Sequence, residues 1–415
     1  MPFVSFLLVT VFAFNVFAAD IPDFLKNPFA ATITSTLVMP ESNSSFVRSS
    51  VTILPSRKST PLMERVANFN YNYRLRSDNT APLVFIIPGT GGTAESAAAL
   101  VLAEQLFKTG YHVVTVDNPF SWKFSVAGSK TGLPGYTPRD AADLYKAFAK
   151  VSKELRVNNG ITPRSYSLVG YSLGGLQSLF VKKQDDQARL FNFKKVLVIN
   201  PPANLLYAVQ KLDRLASLEQ SLSFNQKQNI SFKVTRVTDL VTGGKINLKN
   251  PLEIDRVFKE EAFSNLEMQY LIGSEFRNSL GDLVFASQQV KDLGILKSPA
   301  TKYKRNARNA EAAAVSFARY LNEFLLPSVR QSEGASYSVQ QMNHDASIFQ
   351  FADYIRDNES LYFIDSADDL FSKSEDIAWM KSQFGSRGLV LPIGGHCGFF
   401  QLPAFQQRLN QIFKF

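Results

Sequence analysis

The sequence predicts an α/β fold, in which helices cover both faces of a mostly parallel central sheet and a helical cap is inserted into the core. Apolar runs of strand length alternate with longer amphipathic patterns between residues 81 and 199, and the alternation resumes at residue 361. One apolar run leads through a Gly-x-Ser-x-Gly pentapeptide into a helical pattern. About 140 residues without a regular core pattern separate the two stretches, which is far more than an ordinary connection needs.

The length of the chain agrees with a core plus an insertion. The chain has 415 residues, of which 45% are hydrophobic, so it can bury a large core. We assign residues 19–202 to the first part of the core, 203–340 to the cap and 341–415 to the second part of the core.

The segment assigned to the cap is expected to be mostly helical. Leucines and aromatic residues recur at helical spacing near 205–222, 263–271 and 310–326, and Pro327 is expected to end the last of these helices. Most of these apolar stripes should form the cap's own core, because every helix needs a buried face. Some of them are expected to face the site under the cap.

The pentapeptide 170–174 (Gly-Tyr-Ser-Leu-Gly) carries the candidate nucleophile, Ser172. It follows the strand-like run 165–170, and a helical pattern begins at Leu173. A sharp strand-to-helix turn of this kind presents a serine hydroxyl at its tip, at the positive end of a helix dipole. The alternative is a chance pentapeptide in a loop, which the flanking patterns disfavour.

A glycine-rich turn after another apolar run is a candidate for binding a developing oxyanion. The run 81–87 is followed directly by Pro-Gly-Thr-Gly-Gly-Thr at 88–93. The backbone N–H groups of Thr90 and Leu173 are therefore the predicted oxyanion donors. A phosphate-binding loop is the rival interpretation, but a Walker A motif needs a lysine that this turn lacks.

His396 is the candidate general base. The chain has three histidines. His112 lies inside an apolar strand pattern, and His344 lies in a polar segment just before a predicted helix. His396 follows the strand-like run 388–393 and is flanked by glycines, in a loop that can reach the serine.

An aspartate is needed to orient the imidazole and to stabilise its cation. The strand-like run 360–364 is followed by Asp365, Asp368 and Asp369. A carboxylate a few residues beyond the strand fits best, which favours Asp368. Asp369 is the close alternative, whereas Asp365 lies too near the strand end.

The order Ser172, Asp368, His396 is that of the α/β-hydrolase triad. The chain resembles exported bacterial serine esterases and lipases of that superfamily that carry a large helical cap, over roughly residues 50–202 and 340–415. The segment 394–399 resembles that of hydrolases acting on medium- or long-chain acyl esters. The resemblance implies ester hydrolysis through an acyl-enzyme, without a cofactor. Amide hydrolysis or acyl transfer by the same triad, and a non-catalytic binding protein of the same fold, are the alternatives.

The N-terminus predicts export. Residues 3–17 are almost purely apolar, and Val16 and Ala18 suit cleavage after Ala18. We therefore expect a signal peptide at 1–18 and a secreted or periplasmic protein. No Lys or Arg precedes the apolar run, so an uncleaved N-terminal anchor is the alternative. Residues 20–60 are expected to form either the first antiparallel strands, with strand-like pieces at 31–39 and 50–54, or a packed N-terminal arm.

The formal net charge is +9, from 45 basic and 36 acidic residues. The densest basic run lies in the cap, and it is a candidate contact for anionic lipid headgroups or envelope polymers; it comprises Lys302, Lys304, Arg305 and Arg308. A solvated helix face is the simpler interpretation. No motif for nucleic-acid binding is present.

The only cysteine, Cys397, cannot form an intrachain disulfide. It lies beside His396, but the turn that would activate a nucleophile belongs to Ser172. Because its three histidines are scattered and it has one cysteine, the sequence does not indicate a zinc site.

Overall fold

The computed structural model describes residues 21–37, 45–58, 60 and 68–414. The predicted signal peptide, 1–18, lies outside the described residues, and so the predictions of its cleavage and of export stay predictions.

The centre of the molecule is one eight-stranded sheet with the strand order β1-β2-β4-β3-β5-β6-β7-β8. β1, β2 and β4 pair antiparallel, whereas all pairs from β4 through β3 to β8 are parallel. The central strands are continuous apolar runs because both of their faces are buried. The strands are β1 Val47–Val51, β2 Phe69–Arg74, β3 Leu83–Ile87, β4 His112–Val116, β5 Tyr166–Tyr171, β6 Lys195–Ile199, β7 Leu361–Ser366 and β8 Gly388–Leu391.

Helices cover both faces of this sheet, so the predicted α/β fold is confirmed. The alternation of side chains along β3 shows the two faces: Phe85 packs in one apolar cluster, and Val84 and Ile86 pack in the other. The α-helices are α1 Pro28–Thr34, α2 Ala97–Lys108, α3 Trp122–Ala127, α4 Thr137–Asn159, α5 Leu173–Ala188, α6 Leu205–Ser217, α7 Phe224–Thr242, α8 Pro251–Glu261, α9 Asn265–Val290, α10 Arg305–Ala313, α11 Phe317–Arg319, α12 Leu326–Glu333, α13 Val339–Asp345, α14 Ala352–Asp357, α15 Ser374–Phe384 and α16 Pro403–Phe413. None of the described helices is long and apolar enough to span a bilayer.

The chain between β6 and β7 is helical and carries α6 to α14. Its longest helix, α9, packs along α6 and α10. A Ser264–Glu267 capping box starts α9, because each side chain accepts a hydrogen bond from the other residue's backbone N–H. The domain boundaries at 202/203 and 340/341 stay predictions.

The prediction that Pro327 ends a helix beginning near residue 310 is wrong. α10 ends at Ala313, and a new helical stretch begins at Phe317 and continues through Pro327 to Glu333. The turn before the proline, Tyr320–Leu325, is a π-helix. The wider turn of a π-helix accommodates Pro327, which has no N–H to donate and whose ring would clash in a regular helix.

The segment before the sheet forms a packed N-terminal arm, which we define as residues 21–37. Residues 28–34 of this arm are helical rather than strand-like, as Asn27 caps α1 and Pro28 occupies its first turn. The arm packs its apolar residues against the cap. The Asp255 carboxylate of α8 accepts the N–H groups of Asp23 and Phe24 at 2.9 and 2.8 Å. The arm therefore links the cap to the core.

Candidate active site

Ser172 lies in the sharp turn between β5 and α5. Its backbone has φ 56° and ψ −132°, which is a strained conformation for a residue with a side chain. The turn requires glycine on both sides. A Cβ on Gly170 would lie 2.1 Å from the carbonyl oxygen of Gly174, and one on Gly174 would lie 2.3 Å from that of Pro88. The local sequence therefore dictates the turn, and the turn projects the serine from the carboxyl edge of the sheet.

The structure brings Ser172 and His396 together across 224 residues of chain. Ser172 Oγ lies 2.8 Å from His396 Nε2, a hydrogen-bond distance. The two residues are only 8% and 5% exposed. A neutral imidazole with its Nδ1 protonated can accept the serine proton at Nε2, which is the arrangement that activates a hydroxyl nucleophile.

The carboxylate against His396 belongs to Asp369, which corrects the prediction of Asp368. His396 Nδ1 lies 2.9 and 3.0 Å from the two Asp369 oxygens. Asp368 instead accepts the N–H of Gly395 at 2.9 Å and that of Gly394 at 3.3 Å, so it holds the backbone of the histidine loop.

The physical reason for this shift is the length of β7. Asp365 and Ser366 remain in the strand because they pair with Val390 and Leu391 of β8. The strand thus ends two residues later than its apolar run suggests, and the turn beyond it points Asp369 at the imidazole.

The Asp369 carboxylate is fixed by further hydrogen bonds. The Phe371 N–H donates to one of its oxygens at 2.7 Å, and the Asn200 amide donates to the other at 2.7 Å. The same amide donates to Asp365 at 2.6 Å. Burial, together with the Asp369 charge, raises the pKa of Asp365 well above its usual range. Burial therefore favours the neutral form of Asp365.

The histidine loop is held from the other side by the N-terminal arm. Thr32 Oγ1 accepts the backbone N–H of His396 at 2.9 Å and donates to the Pro28 carbonyl at 2.6 Å. The Phe371 ring packs edge-on against the imidazole at 4.7 Å. Sequence reasoning missed Thr32, Asn200 and Phe371. Only Asn200 carried a signal, as a polar residue at the end of a buried strand.

The predicted oxyanion donors, Thr90 and Leu173, both line the cavity beside Ser172. Leu173 is the first residue of α5, and the first N–H groups of a helix have no acceptor within it. Gly89 brings the glycine turn close to the nucleophile, since a Cβ there would lie 2.8 Å from Ser172 Cβ. Their role as oxyanion donors stays a prediction.

The other candidate residues lie away from this chemistry or are unsuited to it. His112 is buried in β4 and accepts the Arg76 N–H at 3.0 Å, and His344 is exposed at the end of α13. Burial, with added repulsion from the Asp369 carboxylate, raises the pKa of Cys397 well above its usual range. The thiol beside His396 is therefore not an activated nucleophile.

Of the four basic residues predicted to contact an anionic surface, Arg308 is buried. Arg308 is only 1% exposed, and its guanidinium donates to the carbonyls of Ser298 and Gln288 and pairs with Asp292 at 3.0 Å. Arg308 thus stabilises the cap and cannot reach an anionic surface. The contact predicted for Lys302, Lys304 and Arg305, which are exposed, stays a prediction.

An apolar cavity of about 100 Å³ opens beside Ser172 and His396. α6 and the stretch 317–325 of the cap contribute the largest shares of its wall. Phe317, Leu321 and Leu205 are among its lining residues. This cavity can hold an aliphatic group next to the nucleophile.

The sheet carries a serine turn after β5, an aspartate after β7 and a histidine after β8, with the chain order Ser172, Asp369, His396. The chain therefore has the α/β-hydrolase fold. The resemblance predicted from its sequence motifs agrees with the fold.

Comparisons with known proteins show that this chain is distantly similar to several of them. No family model matches the chain. Over 138 residues it is 28% identical to phospholipase A1 2 and, over the same number, 27% identical to phospholipase A1 1, both from Vespa affinis. Each match covers 32% of this chain and 40% of the relative, so the chain spans about two fifths of the length of the curated relatives it matches.

Similar solved structures include an esterase from Pyrobaculum calidifontis, at a TM-score of 0.42 and 15% identity, covering 94% of this chain and 89% of that one. A proline iminopeptidase-related protein from Thermus thermophilus aligns at a TM-score of 0.41 and 16% identity, covering 89% of this chain and 97% of that one. A shared fold does not define a reaction, which depends on the residues of the site.

Proposed function

We propose that this hydrolase cleaves carboxylic esters through an acyl-enzyme on Ser172. The observation that carries the proposal is the continuous hydrogen-bonded series from Ser172 through His396 to Asp369, with distances of 2.8 and 2.9 Å. Ser172, at one end of this series, borders an apolar cavity that suits an acyl chain.

The reaction would proceed in two halves. His396 Nε2 takes the proton of Ser172 as its oxygen attacks the ester carbonyl, and the N–H groups of Thr90 and Leu173 stabilise the oxyanion. The C–O bond to the alcohol then breaks, and the alcohol leaves with the proton from His396. A water molecule, deprotonated by His396, attacks the acyl-enzyme and releases the acid and the free serine.

Amide hydrolysis and acyl transfer to an acceptor other than water remain alternatives on the same triad. The assembled hydrogen bonds argue against a non-catalytic binding protein, because such a protein has no need of an activated serine. Export to the periplasm or the medium, with cleavage after Ala18, is part of the proposal, and N-terminal sequencing of the mature protein tests it.

The decisive test of the reaction combines an active-site label with a panel of substrates. A fluorophosphonate should label Ser172, and p-nitrophenyl acetate, butyrate, octanoate and palmitate should be hydrolysed at different rates. Ser172→Ala should abolish both labelling and turnover. Cys397→Ser serves as the control and should keep them. Labelling that survives Ser172→Ala, or hydrolysis of amides in preference to all esters, would overturn the proposal.

A further inference from the structure

A second space, distinct from the apolar cavity, also borders Ser172. We call it the polar cleft; its volume is about 620 Å³, and it lies between the N-terminal arm, the glycine turn 89–92 and helix α9. The cleft and the cavity share Thr90, Ser172, Phe276 and His396. The triad therefore lies at the junction of two spaces.

This junction matches the two substituents of an ester carbonyl. When the carbonyl carbon is at Ser172 Oγ, the acyl chain and the alcohol extend in different directions. Phe276 borders both spaces and packs edge-on against Phe371 at 5.4 Å, and Phe371 packs against His396. The apolar cavity suits the acyl chain, which leaves the polar cleft for the alcohol.

The hydroxyl groups on the arm's side of the cleft already use their protons. Ser35 donates to the Thr32 carbonyl at 2.6 Å, and Thr36 donates to that of Ile33 at 2.8 Å. Thr32 donates to Pro28. Because a hydroxyl has one proton and two lone pairs, Ser35 and Thr36 keep lone pairs that can accept hydrogen bonds in the cleft, and Thr32 keeps one besides that used by the His396 N–H. An acceptor surface binds a ligand that donates hydrogen bonds.

The charge of the cleft also favours a ligand that donates hydrogen bonds. Among the described residues that line it, Glu275 of α9 is the one carboxylate, and no lysine or arginine accompanies it. Glu275 is exposed and belongs to the wall that α9 contributes. A carboxylate repels an anionic headgroup and accepts hydrogen bonds from hydroxyls.

We propose that the polar cleft is a leaving-group subsite for a non-anionic, hydroxyl-bearing alcohol such as a polyol. The proposal rests on the ester hydrolysis proposed above. It assigns a substrate class: an ester of an aliphatic acid with an alcohol whose free hydroxyls donate to the arm and to Glu275. The same surface disfavours a phosphorylated alcohol, because phosphate offers acceptors and negative charge where the cleft already presents both.

The test compares two substrates with the same acyl chain, a monoacylglycerol and the corresponding monoacylglycerol 3-phosphate, presented below their aggregation concentrations. The wild-type protein should have a kcat/KM about tenfold higher for the monoacylglycerol. Glu275→Lys should reduce this ratio by about tenfold, mainly through KM, and the effect should weaken at high salt. The methyl ester of the same acid, which does not fill the cleft, should be hydrolysed at an unchanged rate.

Asp239→Lys is the matched control, since it makes the same charge change at an exposed site of the cap that lines neither space. If it alters the ratio as much as Glu275→Lys does, the effect belongs to net charge and the subsite is refuted. Equal hydrolysis of the two glycerol esters, or an effect of Glu275→Lys on acyl-length preference alone, also overturns it. Failure to hydrolyse any ester, the methyl ester included, overturns the proposed function and the subsite together.

Discussion

At the carboxyl edge of the sheet, Ser172, His396 and Asp369 are positioned by hydrogen bonds of 2.8 to 3.0 Å. The cap meets the same cavity almost entirely through apolar side chains. Hydrogen bonds depend steeply on distance and angle, whereas apolar packing tolerates exchange between side chains of similar volume. From this difference we expect substitutions at the edge of the sheet to change the rate of the proposed reaction, and substitutions in the cap to change the choice of substrate.

The largest effect expected at the edge of the sheet is that of Asp369→Asn. An amide at this position cannot stabilise the imidazolium and favours the wrong tautomer of His396. We expect kcat to fall by about 10⁴ while the fold is retained, as is typical when a triad carboxylate is neutralised. Steady-state kinetics on a p-nitrophenyl ester measure this loss.

Asp368→Asn is the matched control one residue away. Its amide oxygen can still accept the N–H of Gly395, so kcat should fall by no more than a few fold. A larger loss from Asp368→Asn than from Asp369→Asn would mean that the acid acting in solution is not the one facing His396 in the structure.

The second prediction concerns Thr32, which ties the histidine loop to the N-terminal arm. Thr32→Val keeps the shape of the side chain but leaves the buried His396 N–H without its acceptor, a change that costs about 1–3 kcal/mol. With the methyl ester, which does not fill the polar cleft, we expect kcat to fall by about tenfold with KM unchanged, because His396 is displaced and Thr32 does not line the apolar cavity.

Thr32→Ser restores the hydroxyl and should recover most of the rate. If Ser and Val lower kcat equally, the packing of the arm matters and the hydrogen bond does not. The fluorophosphonate labelling rate offers an independent measurement of the same nucleophile.

Ser172, Asp369 and Thr32 show what the sequence can and cannot predict. The serine turn is encoded locally, as glycines at 170 and 174 allow a close approach that no other residue permits, and it was predicted at the correct residue. The acid was misplaced by one residue because the end of β7 is set by its pairing with β8, which the apolar run does not show. Thr32 gave no signal at all, since its partner is 364 residues away.

The third prediction tests whether the cap selects the acyl chain. Leu321 is partly exposed and lines the apolar cavity, so Leu321→Ala should enlarge the cavity at little cost in stability. We expect the ratio of kcat/KM for p-nitrophenyl palmitate to that for the butyrate to rise by about tenfold, the scale of discrimination by an apolar pocket.

Val329→Ala is the packing control, because Val329 is fully buried in the cap and does not line the cavity. It should lower the free energy of unfolding by about 1–2 kcal/mol without moving the chain-length preference. If both variants change only stability, the cap covers the site without selecting its substrate.

The smallest effect on kcat is expected where the core and the cap meet, at Asp140. Its carboxylate accepts the Gly135 N–H at 2.8 Å, and burial raises its pKa to about 8 from the ordinary 3.8. Between these values the folded state holds a proton that the unfolded state has lost, so stability falls as pH rises from about 4 to 8, by at most about 1.4 kcal/mol per pH unit. Asp140→Asn should flatten that slope in urea unfolding measured across this range, with kcat unchanged. If the slope persists in the variant, another carboxyl causes the pH dependence. Asp117 is such a group, because burial raises its pKa to about 6. A loss of kcat would show that the junction between core and cap also contributes to the rate.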